Sequence, residues 1–137
     1  MSIDNIFGIS GSAMAAQNIR LNVTASNLAN AESVGTSEET TYRARQPVFK
    51  AMLQSDGFST EATGVRVSDI VESQRELTKE YRPGHPMADE QGYIVNTNVN
   101  TVEEMSNLIA ASRAYQNNVE VMKTAKDLMM KTIELGN

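Results

Sequence analysis

The sequence predicts an α+β protein: long N- and C-terminal helices packed as a coiled-coil-like pair, with a small β-rich hairpin domain between them. Three observations carry this prediction. Apolar residues recur every seventh position near both ends, as Phe7, Met14, Leu21 and Leu28 and again as Leu108, Tyr115, Met122 and Met129. A seven-residue repeat lays one stripe along a helix, the stripe that two paired helices share. Pro47, Pro83 and Pro86 all fall in the middle, so the strongest helix breaker is absent from both ends. The stretch between them alternates and turns, with the period of two that belongs to strands.

Residues 1–33 make the first unit. Ile6, Ile9, Ala13, Ala16 and Val23 flank the stripe and widen it. Gly8 and Gly11 each weaken the opening turns by about 1 kcal/mol relative to alanine, so a break or a frayed start is expected there. Residues 34–100 make the second unit. Val34 to Thr40 reads as a turn, and strands are expected over 42–50, 64–71, 77–82 and 93–95. Pro83-Gly-His-Pro86 and Gln91-Gly92 are turn signals, so two hairpins or one small twisted sheet fit the pattern. Residues 101–137 make the third unit. Thr101 is placed to cap its start, with Glu104 three residues on as a capping box requires. Met105, Ser112, Val119, Lys126 and Ile133 form a companion line, and Gly136 marks the stop.

Composition narrows the function classes. The chain has 137 residues, one domain's worth, with 12 Lys+Arg against 17 Asp+Glu and a net charge of −5. A general nucleic-acid binder needs a basic footprint, and this balance argues against one. Without cysteine there are no disulfides or thiolate metal sites. One histidine, His85, argues against a multi-histidine metal centre and a histidine-relayed hydrolase. No metal, cofactor or catalytic residue is expected. The longest apolar run, residues 13–16, is far short of the roughly 20 residues that span a bilayer. No cleaved leader is expected from the opening residues. Aromatic residues are only 5% and tryptophan is absent, so the core is small and some burial against other chains is expected.

The charge distribution sharpens that expectation. Residues 1–31 contain one acid, Asp4, and one base, Arg20. A surface helix normally shows water a charged face. This one shows Ser12, Gln17, Asn18, Asn22, Thr24, Ser26, Asn27 and Asn30 instead. Such groups hydrogen-bond without the desolvation cost of a full charge, so every side of the helix can be enclosed by neighbouring chains. Each asparagine taken singly reads as a local helix-surface hydrogen bond; the case rests on the uncharged helix as a whole. Two helices of 30 or more residues, four heptads and a little over, are about 45–50 Å long, more than the polar middle can cover. Candidate interface residues are Phe7, Met14, Leu21, Leu28, Leu108, Tyr115, Met122 and Met129 for apolar area, with Asn22 and Asn27 for register.

Two rival classes carry less. An enzyme would have to use His85 with Asp89 and Glu90, yet a histidine in a Pro-Gly-His-Pro turn is ordinarily just exposed. There is no nucleophile elbow, P-loop or dinucleotide fingerprint. A soluble helical binding module, such as a secretion chaperone, would carry charge on its outer helix face, and the first helix does not.

Specific runs add a resemblance. Asn22-Val-Thr-Ala-Ser-Asn-Leu-Ala-Asn-Ala31 and Asn98-Val-Asn-Thr-Val-Glu-Glu-Met-Ser-Asn-Leu-Ile-Ala-Ala-Ser-Arg-Ala-Tyr-Gln-Asn-Asn118 resemble the signatures of the flagellar rod, hook and hook–filament junction family. The middle run Tyr81-Arg-Pro-Gly-His-Pro-Met-Ala-Asp-Glu-Gln-Gly-Tyr93 is similar to that of a proximal rod member. The resemblance implies a structural subunit of the bacterial flagellar basal-body rod, with terminal helices lining a tube around an export channel and a β-rich region facing outward. It implies passage through the flagellar type III export apparatus without a cleaved leader. It also implies other proximal rod proteins, the hook–basal body complex protein and the distal rod protein as neighbours.

Overall fold

The computed structural model describes residues 3–55 and 60–136. In chain order the elements are α1 (Ile3–Ala29), β1 (Val34–Gly35), β2 (Arg45–Ser55), β3 (Thr60–Glu72), β4 (Thr78–Tyr81), β5 (Tyr93–Asn96) and α2 (Thr101–Leu135). The α+β architecture expected from the heptads and the central prolines is present.

At 1.5 Å per residue, α1 is about 40 Å long and α2 about 52 Å. They pack antiparallel. Asn27 near the end of α1 meets Glu104 at the start of α2, and Gly11 near the start of α1 meets Met122 far along α2. The expected break at Gly8 and Gly11 does not occur, because α1 runs through both. The reason is tertiary. A β-carbon on Gly8 would lie 3.7 Å from the Thr63 carbonyl, and one on Gly11 would lie 3.8 Å from the Met122 methyl. Packing on two sides holds these turns where propensity alone would let them fray.

α1 ends at Ala29, short of residue 33, where side chains of the following segment take over the last carbonyls. Asn30 Nδ2 donates to the Ser26 carbonyl at 2.8 Å, and Ser33 Oγ donates to that of Asn30 at 2.8 Å. The next two residues depart from the sequence reading. Val34 and Gly35 form β1, paired antiparallel with Asn96 and Val95, and the turn begins only at Thr36. Two residues are too few to show a period.

The start of α2 also differs. Its cap is Asn100, whose side-chain oxygen accepts from the N–H groups of Val102 and Glu103 at 3.0 and 3.2 Å. The cap thus lies one residue before Thr101, and Glu104 turns inward to Asn27 rather than closing a capping box. At the other end, Gly136 is in the right-handed region, its N–H on the Ile133 carbonyl.

The β region holds two sheets. β2 and β3 form a long antiparallel hairpin with register shifts after Val48 and after Met52. β1, β5 and β4 form a small sheet in that order. Gly92 closes the β4–β5 turn with φ of +84°, a conformation L side chains rarely adopt. Asp89 braces that turn by accepting from the N–H groups of Gln91 and Tyr93. The buried apolar residues are few and mostly small: Ala16, Ala44, Ala111 and Ala125, with Val23, Ile94 and Val95.

Candidate assembly surface

The signature run of α1 converges on Asn27, which is 1% exposed. Its Nδ2 donates to the Arg45 carbonyl at 2.8 Å and to Glu104 Oε2 at 3.0 Å. Its Oδ1 accepts from the Arg45 N–H and from the Tyr42 hydroxyl, each at 2.9 Å. Two donors and two acceptor sites are all an amide has, and all four are used. One side chain thus ties α1 to the first residue of β2 and to the first turn of α2. The expectation of a local surface bond fails for Asn27. It holds for Asn22, which is exposed and donates to Asn18 one turn earlier at 3.3 Å.

Three further joints position the elements. Ser12 Oγ accepts from the Val65 N–H at 3.1 Å and donates to the Ile9 carbonyl at 2.9 Å, docking β3 on α1. Gly64 permits this approach, because a β-carbon there would stand 2.5 Å from Ser12 Oγ. Asn98 accepts from the Ala44 N–H and donates to the carbonyls of Ser73 and Arg75, which holds the strand ends to the approach of α2. Arg75 then forks onto Glu103 at 2.6 and 3.2 Å. That hydrogen bond, with the charge behind it, holds the Glu103 carboxyl below its ordinary range and raises Arg75. Glu80 is likewise held low, by hydrogen bonds from Asn96 and then Arg82.

With the joints made, α1 still faces outward along Ala15, Asn18, Asn22, Ala25 and Ala29, all exposed and all uncharged. Spaced by three, four or seven, they form one stripe of small and amide side chains. Arg20 lies elsewhere, its guanidinium on Asn107 at 2.9 Å. α2 is barer still. Of its 35 residues only Glu104, Ala111 and Ala125 are buried. Val102, Met105, Ile109, Val121, Leu128, Met130, Ile133 and Leu135 stand in the open, and Leu135 is 89% exposed. The chain exposes 9457 Å² in all, where a compact monomer of this mass exposes about 7,000 Å².

The residues singled out from the sequence fall in three groups. Phe7, Met14 and Met122 line one groove between the helices with Val119. Leu21, Leu28, Leu108 and Met129 are half-buried along the same pair, so the heptad stripes serve first as a seam within the chain. Tyr115 and Asn22 are exposed, and Asn27 is the buried joint. Sequence reasoning placed Met105 and Ile133 on a companion heptad line but missed the other outer α2 residues, which sit off both lines. It missed Ser12, Asn98 and Glu104 because their partners lie more than 20 positions away.

His85 and Asp89 are occupied in the turn that holds them. His85 Nδ1 accepts from the Met87 N–H at 3.1 Å. Among the described residues no group of three or more His, Asp or Glu is placed to hold a metal ion. No described helix is long and apolar enough to cross a membrane.

An N-terminal helix with Asp4 and Arg20 as its only charges, a C-terminal helix with almost nothing buried and a hairpin docked by side-chain amides define a subunit built to be enclosed by other chains. Comparison with known proteins gives that class its name. Residues 8–35 match the family model "Flagella basal body rod protein", and residues 90–135 match "Flagellar basal body rod FlgEFG protein C-terminal". The chain is 50% identical over 137 residues to the flagellar basal-body rod protein FlgC of Salmonella typhimurium, covering 99% of each chain. It is 48% identical over 136 residues to FlgC of Yersinia enterocolitica and 44% identical over 138 residues to FlgC of Buchnera aphidicola from Acyrthosiphon pisum, again with 99% of each chain covered. The chain belongs to the FlgC family of flagellar basal-body rod proteins, structural subunits of the rod.

Proposed function

We propose that the chain assembles with other rod proteins into a helical tube, the drive shaft that carries motor torque and surrounds an export channel. The observation that carries this reading is α2. A 35-residue helix with three buried residues has its packing partners elsewhere, and the chain's surface exceeds that of a compact monomer by about 2,400 Å². That excess is the size of a substantial protein–protein interface. The exposed small residues of α1 favour close approach of a sibling helix, and half-buried Phe7, Met14, Leu21, Leu28, Leu108, Met122 and Met129 keep apolar surface for a neighbour. Tyr115 and Asn22 extend that area outward. A patch on one copy meeting a different patch on the next makes a contact that winds into a tube rather than closing.

Side-by-side helices sharing many contacts resist twist, because packed interiors barely deform. The subunit's part in catalysis is none; its part is stiffness. Its proposed neighbours are the other proximal rod proteins, the hook–basal body complex protein and the distal rod protein, reached through the flagellar type III export apparatus. The test is co-assembly of the purified chain with the other rod subunits, followed by light scattering. Particles should grow for the natural chain and fail to grow for Ile109→Glu, which is exposed in the monomer. Equal growth of both would overturn the reading.

A further inference from the structure

We infer that the outer edge of β2, over residues 47–53, is a strand-addition site for an extended acidic segment of a different chain in the rod. This rests on the rod-subunit reading above. The backbone of β2 sets up the site. Arg45 turns both its N–H and its C=O away from β3, onto Asn27. Strand alternation repeats that orientation at Pro47, Phe49, Ala51 and Leu53. Both register shifts of the hairpin place their extra residue, Ser68 and Thr63, on β3, so the alternation along β2 is undisturbed. The carbonyls of Val48 and Met52 confirm the phase by accepting from Ser68 and Thr63 across the hairpin.

The two edges of the hairpin differ. On β3 the Val65 N–H is taken by Ser12 Oγ, the Ile70 N–H by Asp69 Oδ1, and the Glu72 carbonyl by Gln74 Nε2. Among the described residues the outward backbone groups of Phe49 and Ala51 have no such partner. An unpaired edge of this kind is a template for another strand. Its side chains suit a covered site, since Phe49, Met52 and Leu53 are exposed, Leu53 to 64%.

Charge selects the occupant. β2 carries Arg45 and Lys50 and no acid. Lys50 stands directly opposite Arg66 in the register, and both are exposed. Like charges facing each other across a ladder are unfavourable, and an acidic side chain from an added strand would sit against the pair. Two acids of β3 are engaged at home: Asp69 caps Ile70, and Glu72 lies 3.8 Å from Arg45.

The experiment is photo-crosslinking in purified basal bodies, with benzoylphenylalanine in place of Leu53 and the natural chain assembled in parallel. The expected product joins position 53 to a peptide of net negative charge from a different chain. Lys50→Glu should lower its yield at least five-fold, and Ala51→Pro, which removes an edge N–H, should abolish it. Circular dichroism of the monomers checks that both variants fold, and Lys50→Glu, a surface change, keeps the test decisive if Ala51→Pro does not. Failure of the natural chain to enter the basal body would refute the rod reading itself. Entry with crosslinks to a helical or basic segment, to another copy of this chain, or to nothing would overturn strand addition alone, as would a yield that Lys50→Glu leaves unchanged.

Discussion

Replacing Asn27 by alanine should be the most damaging single change in the chain. The side chain makes four hydrogen bonds at 2.8 to 3.0 Å, each contributing about 1 kcal/mol net. Truncation also leaves the Glu104 carboxylate, 5% exposed, without its amide donor, at a further cost of about 1–3 kcal/mol. The expected loss is about 5–7 kcal/mol, a large share of the 5–15 kcal/mol that stabilises a typical domain. Urea unfolding followed by helical circular dichroism and tyrosine fluorescence measures it; the chain has no tryptophan to mask the tyrosines. A companion cycle isolates the cause. Asn27→Asp keeps both acceptor roles but sets a carboxylate against Glu104. Combining it with Glu104→Gln restores a donor on the opposite side, so the double variant should recover more than about 1 kcal/mol relative to additivity. A loss below about 2 kcal/mol for Asn27→Ala, or strict additivity in the cycle, would refute the claim that this amide is the joint.

Gly64→Ala should cost about 1–3 kcal/mol, since its β-carbon meets Ser12 Oγ at 2.5 Å, and Ser12→Ala in the same chain should relieve part of the cost. Gly92→Ala should destabilise the β4–β5 hairpin by about 1–2 kcal/mol through its positive φ, read as faster amide exchange at Arg82 and Tyr93. Met130→Glu should leave monomer unfolding within about 0.5 kcal/mol of the natural chain yet abolish rod incorporation and swimming. The Glu103 carboxyl is held low by Arg75. Its contribution is therefore present above the ordinary carboxylate range and lost as pH falls through the folded value. Arg75→Gln should move the Glu103 titration upward by carboxyl NMR and flatten that acid limb.

The larger elements were legible because their signals are periodic. The two heptad lines placed both helices within a few residues, and alternation with glycine and proline punctuation placed four of the five strands. What escaped depended on distance. Val34 and Gly35 become a strand only because Val95 and Asn96 lie beside them. Asn100 takes the cap expected of Thr101, and Glu104 bonds to Asn27, 77 positions away. The candidate surface was legible in part. The lack of charge on α1 was visible in composition, and its outward stripe is uncharged as expected. The open face of α2 was hidden, because Val102, Ile109 and Leu128 look like core in a sequence. A single helix packed alongside covers only one side of α2, so they stay open.

The antiparallel pair has one last consequence, for timing. Its lock joins Asn27 to Glu104, so α1 is made early and meets its helical partner only once the chain beyond residue 100 has been synthesised. Closing so long a loop is entropically slow. In a polypeptide emerging amino end first, from a ribosome or any narrow conduit, the helix pair would therefore stay unformed until nearly all of the chain had come through.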